Sequence, residues 1–350
     1  MSDFKALFRS NRECEMKNSM TLKLTAVALL AATAFAGGAA AQDAEGLVVY
    51  NAQHEGLGNA WVEGFTKETG IKVTVRKGSD LQFANQIIQE GTASPADVFL
   101  TENSPAMSLV NGAGLFAAVD KETLDQVPAE YRPADGMWTG IAARTTVFAY
   151  DKTKLTEDKL PKSMLDLADP AWKGRWGAAP AGADFQAIIG ALLQLKGEEA
   201  TSAWLKAMKE NATPYKGNGT VMKAVNAGEI DGGVIYLYYY FGDQAKTGEN
   251  SKNVALHYFK NQDPGAFASV SGGGVLKSSK HPKEAQALLK WITSKSGQTI
   301  LKTGDSFEYA IAGDANEKLV PLADLHAPKV EASTLDSKKV VELMTAAGLL

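Results

Sequence analysis

Short β-favouring runs alternate with helical segments along most of this chain, and that alternation limits the folds open to it. Residues 47–51 read Leu-Val-Val-Tyr-Asn, and residues 57–69 then repeat apolar side chains at helical spacing up to Gly70. Residues 71–75 alternate as a second strand, and residues 96–100 resemble a third. Strands separated by helices are typical of βαβ units, which build parallel sheets. We therefore predict an α/β protein, and the length of 350 residues suggests about two domains.

The amino-terminal segment predicts export. An apolar run at residues 24–36 follows Lys17 and Lys23 and is too short to span a bilayer as a permanent helix. It leads into the small residues 39–41, a pattern at which secretory signals are cleaved. A buried core helix is the alternative, but this run has no amphipathic pattern. We predict that residues 1–41 are a cleaved signal peptide and that the mature protein lies in the periplasm.

Charge and cysteine content exclude several classes of site. The formal net charge is −4, so the chain lacks the basic surplus that holds nucleic-acid phosphates. The single cysteine, Cys14, lies in the predicted signal peptide, which rules out disulfide bonds and cysteine-rich metal centres in the mature chain. Any metal must then be held by oxygen and nitrogen donors. The run Gly272–Gly274 lacks the Lys-Ser/Thr that follows in a phosphate loop, and we expect it to pack closely in a hinge strand.

Chemically versatile side chains follow three of the predicted strands. His54 comes after the first strand, Glu102 after the strand at 96–100, and a run of aromatic residues, 236–240, after a strand that begins near Gly233. Ligands of such sheets bind beyond the carboxyl ends of the strands. These groups would meet at one edge if the strands are neighbours. The residues alone leave open a metal site, an anion site or an ordinary surface, because tyrosine runs also favour β structure.

Several stretches resemble the periplasmic ferric-iron-binding proteins of ABC transporters, the bacterial transferrins. The resemblance covers essentially the whole mature chain, and part of it is shared with related solute-binding proteins. The stretches that carry it are 49–54, 95–102, 150–155, 165–175, 262–266 and 294–298.

This resemblance implies a two-lobed periplasmic binding protein fold of type II, with discontinuous lobes joined by hinge strands. We expect an N-terminal lobe at 42–144 and 268–320, and a C-terminal lobe at 145–267 and 321–350. The histidine and glutamate then belong to the first lobe and the tyrosines to the second. A metal bound between them would close the cleft.

The resemblance also implies a ligand set, because in this family one histidine, one glutamate and two adjacent tyrosines hold iron together with an exogenous anion. The matching metal positions are His54, Glu102, Tyr238 and Tyr239. The matching anion positions are Asn103, Gly182, Ala183 and Asn218, to which we add Arg144 because it follows a β-favouring run near the expected hinge. The serine of the family's anion loop is replaced by Ala181, and Tyr236 and Tyr240 flank the matched tyrosines. Phosphate or carbonate is the expected synergistic anion.

The chemistry of these donors suits Fe³⁺ independently of the resemblance. A hard trivalent ion prefers anionic oxygen, and two phenolates with one carboxylate carry three negative charges. Free tyrosine has a pKa of about 10, so the metal must displace phenol protons, and acid should loosen binding. Neighbouring phenols reach one ion from a helical turn but point to opposite faces in a strand. We therefore expect Tyr238 and Tyr239 to open a helix.

The predicted function is the capture of Fe³⁺ in the periplasm and its delivery to an inner-membrane ABC permease, by a monomer that is not an enzyme and binds no nucleic acid. One alternative is a sister binding protein for an organic cation or a phosphonate, such as thiamine or a polyamine, which would use aromatic stacking and acidic residues. A non-haem iron enzyme is the weaker alternative. It would need two histidines and a carboxylate, and only one of the four histidines lies at the predicted edge.

Overall fold

A computed structural model describes residues 46–350 of the chain. The predicted signal peptide, residues 1–41, lies outside the described residues. From residue 46 onward the chain packs as one compact unit in which helices cover a mixed sheet. No helix in this part of the chain is long and apolar enough to cross a membrane.

The sheet has parallel strands at both ends and antiparallel strands in the middle. The strands of the described residues are β1 (Leu47–Asn51), β2 (Val73–Lys77), β3 (Val98–Leu100), β4 (Thr139–Asp151), β5 (Trp176–Ala178), β6 (Ala212–Pro214), β7 (Gly232–Tyr236), β8 (Val254–His257) and β9 (Ala268–Val275). Their order is β2-β1-β3-β9-β4-β7-β5-β6, and β8 also pairs with β4. The predicted α/β class is confirmed, but the prediction of parallel sheets missed the antiparallel strands β4 and β9.

The helices lie between these strands. In the described residues they are α1 (Glu55–Thr69), α2 (Asp80–Glu90), α3 (Ser104–Gly112), α4 (Lys121–Leu124), α5 (Ala183–Asn211), α6 (Asn218–Asn226), α7 (Tyr238–Lys246), α8 (Pro282–Thr293), α9 (Lys295–Thr303) and α10 (Ser337–Ala346). Helix α1 ends where the sequence predicts, because Gly70 adopts the left-handed conformation (φ 76°). Helix α5 contains one break, at Gly197.

Strand β4 runs through both halves of the sheet. Its residues up to Thr145 pair with β9, whereas those from Thr146 onward pair with β7. Arg144 therefore lies in the middle of the sheet, one residue before β4 changes partner. The predicted lobe boundaries at 144/145 and 267/268 fall at this point, because Thr145 pairs with Ala268. All the lobe boundaries stay a prediction.

The buried apolar side chains of the described residues form three clusters, two in the half of the sheet that contains β1, β3 and β9 and one in the other half. Trp61 and Leu288 lie in a core beside β1, β3 and β9. Phe148, Trp176 and Trp204 lie in another, beside β4, β5 and β7. The sheet is thus buried under helices on either side of the point where β4 changes partner.

Strand β9 passes close to its neighbours at its glycines. A Cβ atom on Gly274 would lie 2.5 Å from the ring of Phe116, and one on Gly273 would lie 2.8 Å from Leu289. A Cβ atom on Gly272 would collide with Met107. The sequence prediction of close packing here is confirmed.

Candidate metal centre

Several helices begin at one place, beside the carboxyl ends of the strands. His54 precedes α1, and Asn103 precedes α3. Asp184, Asn218 and Tyr238 lie in the first turns of α5, α6 and α7. Hydrogen bonds connect Asp184 to Asn103, Asn218 and Tyr238, and the ring of Tyr238 contacts that of His54. Because the amino end of a helix carries a partial positive charge, this arrangement favours negative groups at the centre.

Three of the four predicted metal ligands are in direct contact. Nε2 of His54 lies 2.9 Å from Oε1 of Glu102. The hydroxyl of Tyr238 donates a hydrogen bond to the same oxygen at 2.8 Å. The rings of His54 and Tyr238 meet edge to face with their centroids 4.5 Å apart. An imidazole nitrogen, a carboxylate oxygen and a phenol oxygen therefore converge within the reach of one ion.

The fourth predicted ligand, Tyr239, stacks on Tyr238 with ring centroids 4.5 Å apart. Both tyrosines lie in the first turn of α7, which confirms the prediction that they open a helix. Tyr236 is buried in β7, and its hydroxyl bonds to the backbone oxygen of Asp184 instead. Tyr240 turns its ring toward Phe241. Of these tyrosines, Tyr238 is therefore the one that contacts both the histidine and the glutamate.

Asp184 is a buried carboxylate that the sequence analysis missed. It accepts hydrogen bonds from the side-chain amides of Asn103, at 3.1 Å, and Asn218, at 2.8 Å. It also accepts one from the hydroxyl of Tyr238, at 2.9 Å. Two amides predicted to hold an exogenous anion thus hold a carboxylate of the protein. The available signal was an acidic residue directly after the predicted anion loop, at the start of a helix.

Two further predicted anion contacts, Gly182 and Ala183, directly precede Asp184 in the chain. Gly182 precedes α5, but its N–H donates to the backbone oxygen of Ala179. Ala183 lines a small pocket with Asp80 and Asn103. The structure therefore brings this loop to the site, with one of its N–H groups already bonded.

Arg144 is fully buried and faces two carboxylates. Its Nη2 lies 2.8 Å from Oε2 of Glu308, and its Nη1 lies 3.3 Å from Oε1 of Glu102. Its guanidinium also lies 5.7 Å from the ring centre of Tyr238. Glu308, whose side chain is fully buried, was missed by the sequence analysis, since nothing in its local pattern distinguishes it.

The pKa values of the ligands reflect this crowding. Burial alone would lower the pKa of His54, but the carboxylates of Glu308 and Glu102 raise it to about 10. Burial alone would raise the pKa of Glu102, but His54 and Arg144 lower it to about 2. In the metal-free protein at neutral pH, His54 is therefore an imidazolium between two carboxylates.

The pKa values of Asp184, Tyr238 and Tyr239 are raised. Burial and the charge of Glu102 raise the pKa of Asp184 to about 6. Burial and the charge of Asp184 raise the pKa of Tyr239 to about 12, and the same two causes raise the pKa of Tyr238 well above its ordinary value. Both phenols are thus protonated at neutral pH. A ligand must carry enough positive charge to displace these protons.

The donor set suits a hard cation only when tyrosine oxygens are included. Within residues 46–350, no group of three or more His, Cys, Asp and Glu side chains has an arrangement that holds a metal ion. The converging groups are one imidazole, two carboxylates and two phenols, which offer four negative charges once the phenols lose their protons. Anionic oxygen donors of this kind match a trivalent ion rather than a soft or divalent one.

Comparisons with known proteins agree with this chemistry. A family model of bacterial extracellular solute-binding proteins matches residues 93–331. The Fe(3+)-binding periplasmic protein of Serratia marcescens is 66% identical over 329 residues, which cover 93% of this chain and 97% of that protein. The major ferric iron-binding protein of Neisseria gonorrhoeae is 37% identical, over 95% of this chain and 100% of that protein.

A solved structure shares the fold. Iron-bound HitA from Pseudomonas aeruginosa superimposes with a TM-score of 0.82 at 43% identity, covering 87% of this chain and 99% of that one. The predicted type II periplasmic binding protein fold is confirmed by this similarity.

Proposed function

This chain belongs to the bacterial extracellular solute-binding proteins, and from that membership we propose that it captures Fe³⁺ in the periplasm for an inner-membrane ABC importer. The relatives are binding proteins by name rather than enzymes, which agrees with the sequence prediction. Both relatives are named for binding ferric iron, and the Serratia protein is named as periplasmic. Delivery to the permease, action as a monomer and export by a signal peptide at residues 1–41 are parts of the proposal.

One observation carries the assignment of iron to this chain. Nε2 of His54 and the hydroxyl of Tyr238 both lie within 2.9 Å of one oxygen of Glu102, and Tyr239 stacks on Tyr238. These four side chains are our proposed metal ligands. Phenolate oxygen is rarely available at neutral pH, and a trivalent ion is a Lewis acid strong enough to displace the phenol protons.

We propose that Asp184 provides the negative charge for which the family uses an exogenous anion. Its carboxylate already accepts hydrogen bonds from Asn103, Asn218 and Tyr238. Phosphate or carbonate would have to displace Asp184 to reach the two amides. Binding of Fe³⁺ by this chain should therefore not require an added anion.

The proposed lobes account for closure around the ion. Glu102 follows β3 and Tyr238 follows β7, and these strands lie on opposite sides of β4. With the lobes divided at 144/145, 267/268 and 320/321, the ion would bridge them. The permease would then recognise the closed form.

The two alternatives fit the site less well. An organic cation would need an open aromatic face, but one face of Tyr238 is covered by Tyr239, and His54 lies against its ring. A non-haem iron enzyme would need a second histidine. His257 lies in β8. His281 bonds to Asp97 and His326 to Ala323 and Gln262, none of which belongs to the proposed metal centre.

A visible spectrum tests the proposal. Purified protein with one equivalent of Fe³⁺ should be coloured, because phenolate ligands transfer charge to ferric iron. Tyr238→Phe and Tyr239→Phe should each weaken the band, and the double variant should lose both the colour and the iron. Tyr240→Phe is the matched control on the same helix and should keep both. A coloured, iron-loaded double variant would show that the ligand set is wrong.

A further inference from the structure

A carboxylate oxygen lies close to each nitrogen of the imidazole of His54. Nε2 lies 2.9 Å from Glu102, and Nδ1 lies 2.8 Å from Oε1 of Glu308. The side chain of Glu308 is fully buried, whereas that of His54 is 30% exposed. The ring therefore presents Nε2 to the centre and Nδ1 to the protein interior.

Glu308 is itself held by a buried polar cluster. Its second oxygen, Oε2, lies 2.8 Å from Nη2 of Arg144 and accepts hydrogen bonds from Gln53, at 3.2 Å, and Ser271, at 3.4 Å. Gln53 in turn accepts a hydrogen bond from the backbone N–H of His54 at 2.7 Å. The backbone and the ring of His54 are thus connected to the same cluster.

We propose that Glu308 is the positioning residue that presents Nε2 of His54 to the ferric ion, and this proposal rests on the proposed function. A neutral imidazole carries a proton on one nitrogen and a lone pair on the other. The carboxylate next to Nδ1 keeps the proton there, so the lone pair is on Nε2. Partners of this kind fix the ring orientation and raise the basicity of a metal-bound histidine.

The same contact favours Fe³⁺ over Fe²⁺. Glu308 adds negative charge behind a ligand atom, and its attraction for the bound ion grows with the charge of that ion. Arg144 offsets part of this charge but lies on the other oxygen, away from the imidazole. Loss of the carboxylate should therefore weaken Fe³⁺ binding more than Fe²⁺ binding, and the reduction potential of the bound iron should rise.

Glu308→Gln tests this role, since it keeps the size and one acceptor oxygen but removes the charge. We expect Fe³⁺ affinity, measured by competition with citrate, to fall about 10- to 100-fold. We also expect the potential to rise in spectroelectrochemistry, where a tenfold preferential loss of Fe³⁺ corresponds to about 59 mV for one electron. If Gln leaves Arg144 too poorly paired to fold, Glu308→Asp keeps the charge and withdraws the oxygen from Nδ1, and it should weaken Fe³⁺ binding in the same direction.

A double-mutant cycle shows whether Glu308 acts through the histidine. In a His54→Ala background, Glu308→Gln should cause little further change in affinity or potential. An equal change in both backgrounds would overturn the proposal, because Glu308 would then act through Arg144 and Glu102. Unchanged affinity and potential in Glu308→Gln itself would also overturn it.

A control variant and the wild-type protein distinguish the role of Glu308 from a general loss of stability and from a failure of the proposed function. Asp97→Asn removes another buried carboxylate, one that bonds to Val48 and Ser279 at the opposite end of β3, and should lower stability without changing the potential. Wild-type protein that fails to bind Fe³⁺ would contradict the proposed function. Wild-type protein that binds, beside a Glu308→Gln variant that binds equally well, would contradict only the role of Glu308.

Discussion

The hydroxyl of Tyr238 lies 2.8 Å from a carboxylate oxygen of Glu102, although 136 positions separate them in the chain. In the metal-free protein this hydroxyl keeps its one proton and shares it in hydrogen bonds with the carboxylates of Glu102 and Asp184. A metal bound by the same oxygens must replace those hydrogen bonds.

Iron binding should release about three protons at pH 7.5. Two come from Tyr238 and Tyr239, whose pKa values lie well above neutral, and one comes from His54, whose pKa is about 10. Affinity should therefore fall as the pH falls. Calorimetry in buffers of different ionisation enthalpy counts the protons, after correction for those taken up by the displaced iron chelate. Tyr240→Phe should release the same number, and a count near zero would exclude phenolate ligands.

Asp184→Asn should make iron binding dependent on an added anion. Wild-type protein should bind Fe³⁺ equally well with and without phosphate or carbonate, because the carboxylate of Asp184 supplies the negative charge. The variant should bind more weakly, and added phosphate should partly restore its affinity. Competition with citrate at constant pH measures both effects.

Asp231→Asn is the matched control for this experiment. Asp231 pairs with Arg175 and Lys154, outside the hydrogen-bond network of Asp184. Its variant should bind iron like the wild type. If wild-type protein itself required phosphate for iron binding, the site would use an exogenous anion as the family does, and Asp184 would not replace that anion.

Asp184 should also make the metal-free protein less stable as the pH rises. Its pKa is about 6 in the folded state against 3.8 in the reference state, so its contribution is fully present below about pH 4 and is lost as the pH rises through 6. Relative to Asp184→Asn, the free energy of unfolding of the wild type should fall between pH 4 and pH 6.5, by roughly 3 kcal/mol at most. Urea unfolding at the two pH values measures this difference. A constant difference would show that burial of this carboxylate has little energetic cost.

Gly274→Ala should destabilise the protein without altering the metal ligands. The added methyl group would lie 2.5 Å from the ring of Phe116, so the ring or strand β9 must shift, at a cost of about 1–3 kcal/mol. Thermal unfolding measures the loss, and iron titration should give an unchanged stoichiometry. Gly112→Ala is the control, because a Cβ atom there meets nothing within 4 Å in helix α3 and should be neutral or stabilising.

Much of the fold was predictable from local patterns. Strands β1 to β3 and helix α1 lie within two residues of their predicted positions, since apolar periodicity and terminating glycines act locally. The start of a helix at Tyr238 was predicted from the geometry that two adjacent phenols need. The antiparallel pairing of β9 between β3 and β4 was not predicted, because sequence periodicity reports which face of a strand is buried and not which distant strand lies beside it.

The sequence by itself determined the kinds of donor available: one histidine, one glutamate and a tyrosine cluster placed after strands, in a mature chain predicted to have no cysteine. Only the tertiary structure decided what surrounds them. Asp184 meets Asn103 across 81 positions, and Arg144 meets Glu308 across 164. Charged groups this deeply buried must find partners, and those partners are set by how β4, β9 and the helix starts pack in space.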